Sequence, residues 1–382
     1  MRRKVIYVSF VRLTDKVSRD WYIDYLIEKG ATVEYWDIIS LVREDHSEHG
    51  AIYPDGLRTP RSFSQIEELL HRPENRDAIY VMLISYTGRT TKIFRMLSKH
   101  DCRMVFINWG AMPISPAPRW RRVISHLANP LLLAQKILDK TKAITYRNLK
   151  LVKPFDIVFA AGKTLLAADQ NAVKVIPVNL CDYDHYMRVK FAEARLVKGK
   201  YAVFLDINLP YQSDLALYRM PAVNPDNYYQ SLNRFFGLVE SEYGVKVVIA
   251  AHPKSGYNTE TFQKRETYRL LTAELVRDAD FVMTHNSTAL SYAVLNCKPV
   301  IFIYTDDMMS LYKGTTIKEM RDFSKYLNSA MYNIDQIVDG RQVLIEVPNR
   351  KQYEDYKYSF LTTHETENTA TQEIFWREIN AC

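Results

Sequence analysis

Apolar, β-rich runs alternate with helical patterns along almost the whole chain. KVIYVSF (4–10), TVEYWDI (32–38), AIYVMLI (78–84), RMVFINW (103–109) and FDIVFAA (155–161) read as strands of a first half. Helical spacing in SRDWYIDYLIEKG, RSFSQIEELLHR and TKIFRMLSKH separates them. The pattern then restarts with YAVFLDI (201–207), KVVIAAH (246–252), FVMTHN (281–286) and PVIFIYT (299–305). Helices are predicted between these in NPDNYYQSLNRFFGLVESEYG, TYRLLTAELVRD and STALSYAVLN. Strands alternating with helices predict open, mostly parallel sheets covered on both faces. Two such sets predict an α/β chain of two doubly wound, Rossmann-like domains facing a central cleft. The expected boundaries are 1–185 and 190–345, with VIPVNLCDYDHYMRV (175–189) as the crossing. The polar, Tyr-rich tail, 350–382, ends in the helical pattern TATQEIFWREI and is expected to pack back on the first domain.

Length supports this division, since 382 residues exceed one ordinary core. The composition, 47% apolar and 25% charged with no low-complexity tract, is that of a soluble globular protein. No run of eighteen apolar residues and no secretory leader pattern occur, so a cytoplasmic protein is expected. Four scattered cysteines without CxxC spacing argue against a zinc site or a disulfide framework.

The net charge of +7 is unevenly spread. From Arg119 to Lys153 nine Lys or Arg face one acid, Asp139, and the same segment carries Trp120, Leu127 and Leu131-Leu132-Leu133. A basic, amphipathic, Trp-bearing stretch suits the surface of an anionic membrane. A solvated helix pair covering a sheet edge is the competing reading. Nucleic acid is not expected as a partner, because no reader motif accompanies the charge.

Ligands of doubly wound sheets bind outside the carboxyl ends of the strands. Three polar clusters fall there in the second half: Asp206-Ile207-Asn208, His252-Pro253-Lys254-Ser255 and His285-Asn286-Ser287-Thr288. Ser287 or Thr288 is the expected N-cap of the helix in STALSYAVLN, where free N–H groups and two hydroxyls suit a phosphate. His252 directly after a buried strand suits an imidazolium that neutralises a departing phosphate oxygen, with Lys254 adding charge. His285 is expected to orient or pack. Asp206 reads equally as a catalytic carboxylate, a hydroxyl acceptor or a turn residue. Glu274 reads as a ribose acceptor or a surface helix carboxylate. In the first half, SYTGRTTK (85–92) and NWGAMP (108–113) offer Thr87, Arg89, Thr90 and Asn108 as acceptor-side candidates or as ordinary loop residues. The DxD pairs Asp182/Asp184 and Asp278/Asp280 sit away from these strand ends, so no metal or other cofactor is expected.

A strand ending in HP, then TAELVRDADFVMTHNSTALSYAVLNCKPVIFIYTD, resembles the GT-B glycosyltransferases of bacterial surface-polysaccharide synthesis. Within that group the resemblance is to enzymes using CMP-activated acidic sugars: sialic, pseudaminic or legionaminic acid, or Kdo. FLDINLPYQSD (204–214) is similar to a motif near the start of their second domain. The resemblance covers about residues 200–308 and implies a GT-B-like fold. It implies that His252, Pro253, Ser287 and Thr288 contact the cytidine and phosphate of the donor, with Lys254, Glu274, His285 and Asn286 around them. The acidic-pair-Gly motif that supplies the base in well-known sialyltransferases is not recognisable, and Asp206 is the candidate in its place. The implied acceptor is a hydroxyl of a surface glycan, such as lipopolysaccharide, O-antigen or capsule, reached from the inner face of the cell membrane. Other readings are a CDP-glycerol or CDP-ribitol phosphotransferase, a UDP-sugar 2-epimerase and a non-catalytic nucleotide-sugar binding protein.

Overall fold

The computed structural model describes residues 3–41, 56–114, 130–212 and 221–381. These residues divide into two compact units. One comprises the described residues up to Gly110, those from 130 to Asn179, and those from Thr363 onward; the other comprises 111–114 and Leu180–Thr362. The helix Cys181–Val189 and the segment 350–362 therefore belong to the second unit, where the sequence pattern had placed them in the crossing and the tail.

The first unit is built on seven strands: β1 (Lys4–Ser9), β2 (Thr32–Asp37), β3 (Leu57–Arg58), β4 (Ile79–Met82), β5 (Arg103–Asn108), β6 (Phe155–Ala161) and β7 (Ala172–Val178). All pair in parallel in the order β3-β2-β1-β4-β5-β6-β7. The reversal of strand order between β1 and β4 is that of a dinucleotide-type fold. β4 is buried along its whole length, as a strand covered on both faces must be. β7, at the edge, exposes Val173 and Val175. The closing helix Thr371–Ala381 packs Phe375 against Phe159 and Tyr22, with ring centroids 5.1 and 6.0 Å apart. Lys174 pairs with Glu378 at 2.7 Å.

The second unit has six strands: β8 (Tyr201–Leu205), β9 (Lys246–Ala251), β10 (Thr267–Arg269), β11 (Phe281–Thr284), β12 (Val300–Tyr304) and β13 (Met331–Asn333). They too are parallel, in the order β10-β9-β8-β11-β12-β13. Strands β8 and β11 flank the reversal and are buried throughout. The helix Pro225–Tyr243 begins with an Asn224 side chain accepting from the Asn227 N–H at 3.0 Å, with Pro225 next. It ends at Gly244 with φ 61°, a conformation that favours glycine. The stretch TYRLLTAELVRD, expected to be one helix, is instead the edge strand β10 followed by the helix Thr272–Asp278. Leu270, with φ 64°, turns the chain between them.

Candidate functional site

Strands β9, β8 and β11 are neighbours, so Asp206, His252 and His285 each stand one residue past the carboxyl end of adjacent parallel strands. The strand order reverses between β8 and β11, the place where such sheets open a crevice.

Asp206 is almost fully buried and organises the loops around it. Its Oδ1 accepts the Asn208 N–H at 2.8 Å, and its Oδ2 accepts the His252 N–H at 3.0 Å and the Tyr257 hydroxyl at 2.7 Å. Burial pushes the carboxyl above the ordinary range, against the pull of these three hydrogen bonds. Through these bonds Asp206 holds the His252 backbone in place, and being almost fully buried it is not an exposed carboxylate.

His252 is half-buried at the rim. Its Nδ1 accepts the Lys254 backbone N–H at 3.2 Å, which leaves the ring proton on Nε2. Burial lowers its pKa from the usual 6.5, partly offset by Asp206 and reinforced by Lys254. At neutral pH the ring is therefore an uncharged Nε2–H donor, where the sequence pattern led to an imidazolium. Ser255 closes the turn by donating its hydroxyl to the His252 carbonyl at 2.7 Å. Pro253 and Lys254 are exposed.

A cleft of about 460 Å³ opens here, lined by Asn208, Tyr211, Gln212, His252, Lys254, Gly256 and Tyr257. Tyr211 is largely exposed, so its ring face is available for stacking. Tyr257 and Tyr211 line the cleft, and sequence reasoning named neither among 26 tyrosines. The usable signals were the place of Tyr211 within FLDINLPYQSD and the nearness of Tyr257 to the HP dipeptide.

The end of β11 is built differently. His285 has no exposed surface; its Nδ1 donates to the Ile303 carbonyl at 2.5 Å and its Nε2 accepts the Tyr228 hydroxyl at 2.7 Å. Both nitrogens are taken, so His285 packs and orients within the core, as its residue-level reading expected, and is not the ligand contact that its place in the donor set implied. Asn286 donates to Glu319 at 2.7 Å. The expected N-cap also moves: the helix is Leu290–Leu295 and its cap is Ala289. Ser287 Oγ accepts the Ala289 N–H at 3.3 Å within the preceding turn. A six-residue helix has little dipole to offer an anion. Ser287 and Thr288 retain accessible hydroxyl-bearing side chains but do not line the 460 Å³ cleft.

Glu274 Oε1 lies 3.9 Å from His185 Nε2, and its Oε2 is buried with no hydrogen-bond partner among the described residues. His185 Nδ1 meets the Tyr292 hydroxyl at 3.1 Å. The DxD carboxylates serve the fold: Tyr292 donates to Asp182 at 3.3 Å, Arg277 pairs with Asp278 at 2.6 Å, and Asp280 accepts the Tyr201 N–H at 3.0 Å.

In the first unit the loop after β4 is held by Thr90, whose Oγ1 accepts the Thr87 N–H at 2.8 Å and lies 2.9 Å from the Ser85 carbonyl. Gly88 passes so close to the helix Pro130–Asn148 that a Cβ there would fall 2.2 Å from the Asp139 carbonyl oxygen. Thr87 and Arg89 are exposed, whereas Asn108 donates to Gln170 at 2.7 Å. Arg119, Trp120, Arg121, Arg122 and Leu127 of the basic segment lie outside the described residues. The helix Pro130–Asn148 exposes Ile137, Leu138 and Ile144, with Lys140, Lys142 and Arg147 also exposed on it. Among the described residues no helix is long and apolar enough to cross a membrane.

No protein-family model and no curated protein matches the sequence. Solved structures similar to the chain include the glycosyltransferase SnogD from Streptomyces nogalater, at 9% identity over 100% of this chain and 99% of that one, TM-score 0.49. The UDP-GlcNAc 2-epimerase of Methanocaldococcus jannaschii is 12% identical over 93% and 98%, TM-score 0.44. The wall teichoic acid polymerase TagF is 10% identical over 99% and 88%, TM-score 0.48. Likenesses this distant concern layout, and no residue role follows from them.

Proposed function

We propose that this chain is a GT-B-type glycosyltransferase whose second unit holds a nucleotide-activated sugar at the carboxyl ends of β9, β8 and β11. The observation that carries the reading is the Asp206 network, which fixes a neutral His252 at the rim of a polar cleft beside the strand-order reversal. The His252 Nε2–H and the Lys254 ammonium supply donors and charge for a phosphate that becomes more negative as the glycosidic bond breaks. These groups are in place before the reaction, so their reorganisation costs little. Tyr211 offers a face to a base or a sugar ring.

The donor class we assign is CMP with an acidic sugar, on the strength of His252-Pro253 and Ser287-Thr288. A CMP donor departs as a phosphate monoester, which suits a cleft lined by a histidine and an ammonium. Thr87 and Arg89, exposed past β4, are the acceptor-side groups in this reading. The acceptor is a glycan hydroxyl at an anionic membrane surface, met by the exposed Ile137, Leu138 and Ile144 with Lys140, Lys142 and Arg147. Replacing Lys140 and Arg147 by Glu is expected to release the protein from anionic vesicles; unchanged cosedimentation removes the membrane from the proposal.

Thermal melts with CMP, CDP, UDP and GDP test the donor. A ligand at a hundred times its Kd adds about 2.7 kcal/mol, a shift of a few degrees. Selective protection by CMP is expected. Protection by UDP instead points to an epimerase or a UDP-sugar transferase, and protection by CDP to a polyol-phosphate transferase; either result overturns the CMP assignment.

A further inference from the structure

The first unit carries a second cluster of chemistry-bearing side chains that the proposed transfer does not use. Glu67 lies on the helix Phe63–Leu70, and His71 is the C-cap of that helix. His100 is the C-cap of the helix Thr91–Lys99, which packs on the first helix. One ligand atom from each of the three lies within 4.8 Å of the other two. We propose that Glu67, His71 and His100 bind one divalent cation of the first transition row, with zinc as the type.

Several features of the arrangement suit a cation. Glu67 and His71, four residues apart, project from one helix face. The His71 Nδ1 lies 2.7 Å from the Glu67 backbone carbonyl, which accepts only, so Nδ1 carries the proton and Nε2 keeps the lone pair. Outer hydrogen bonds of this kind hold an imidazole in its ligating tautomer. His100 Nε2–H donates to Glu67 Oε1 at 2.9 Å, so a cation bridging the two takes the place of that proton and leaves the ring protonated on Nδ1 instead. The two imidazoles sit edge to face with centroids 4.7 Å apart. Two helices end here, and helix C-termini favour positive charge. Lys99 Nζ lies 3.2 Å from the same Glu67 oxygen, but its side chain is largely exposed and free to swing into solvent when a cation takes its place.

Two nitrogens and one carboxylate oxygen form a donor set of intermediate softness, suited to zinc, cobalt or nickel and poorly suited to magnesium or calcium. A depression of about 560 Å³ lined by Ser64, Glu67, Glu68 and His71 leaves room for water to complete the coordination. A bound ion ties the ends of two helices together. The second of these begins directly after the Thr87–Thr90 loop, so the expected role is to stiffen that part of the unit.

The test is calorimetric titration of the full, tag-free chain with Zn²⁺, paired with visible absorption on titration with Co²⁺. One equivalent is expected to bind, with Co²⁺ d–d bands of a low-coordinate site. His71→Ala and His100→Ala each weaken binding at least about tenfold, since even outer-shell partners of metal ligands are worth that much. His71 is exposed, and metal-free melts matching the wild type establish that the variants fold. Failure of the wild-type chain to take up either ion overturns the site. Uptake of one equivalent that both variants leave unchanged overturns it equally.

Discussion

His252 and His285 begin from the same sequence position and end in opposite states. Each is the first residue after a buried parallel strand, and β9 and β11 are separated only by β8. Yet His252 stands at the rim of a cleft, with one ring nitrogen held by its own turn. His285 is sealed, with Tyr228 on one nitrogen and the Ile303 carbonyl on the other. The difference is made by what covers each strand end. The helix Pro225–Tyr243 brings Tyr228 onto His285, whereas past β9 the turn Pro253–Ser255 leaves His252 half-buried at the cleft rim. A histidine at a strand end is thus a functional group or a piece of core according to a neighbour far away in sequence.

If that contrast is right, the two residues fail in different ways when changed. The largest expected effect is on turnover by His252→Ala. Removing one pre-placed donor to a developing anion costs about 100-fold to 1,000-fold in kcat, or about 3–4 kcal/mol of transition-state stabilisation. The melt should barely move, because the ring is half-exposed and the Asp206 contact is to the backbone N–H, which the variant keeps. Steady-state kinetics with a CMP-sugar and a thermal melt of the same preparation check this. Near-normal kcat from a folded variant takes His252 out of the mechanism.

Much of the fold was legible because its information is local. Fully buried strands such as β4, β8 and β11 are short apolar runs between helical patterns, and the Asn224-Pro225 start and Gly244 stop mark their helix plainly. The edge strands β10 and β13 were not legible, since each is only three residues long and neither is a buried apolar run. β7 was missed because its apolar end, 175–178, was taken into the expected crossing. For the site, strand ends gave Asp206 and His252 their places but not their states. That Asp206 accepts three hydrogen bonds depends on Tyr257 and on the His252 N–H, 51 and 46 residues away, and no spacing rule links them. The N-cap slipped from Ser287 or Thr288 to Ala289 because the chain leaving β11 spends Ser287 on a turn before the helix begins. The Glu67–His71–His100 cluster went unread because its third member arrives from a separate helix.

His285 carries a smaller effect, visible in stability and in its dependence on pH. Burial lowers its pKa from 6.5 to about 4, partly opposed by the Ile303 carbonyl. Between those values the unfolded chain binds a proton that the folded chain refuses. Stability from this group is therefore fully present above about pH 7 and is lost as pH falls toward 4, below which it changes no further. A pKa moved from 6.5 to about 4 makes the loss about 3 kcal/mol. In His285→Gln the titrating group is gone, and the mismatched amide leaves Tyr228 or the Ile303 carbonyl poorly paired, a cost of about 1–3 kcal/mol at neutral pH. The variant should thus be the less stable protein at pH 7, and the gap should narrow as the pH approaches 4. Urea melts of both proteins across that range decide it. Parallel stability curves would mean that His285 takes up its proton in the folded state, and with that the contrast between the two histidines would fail.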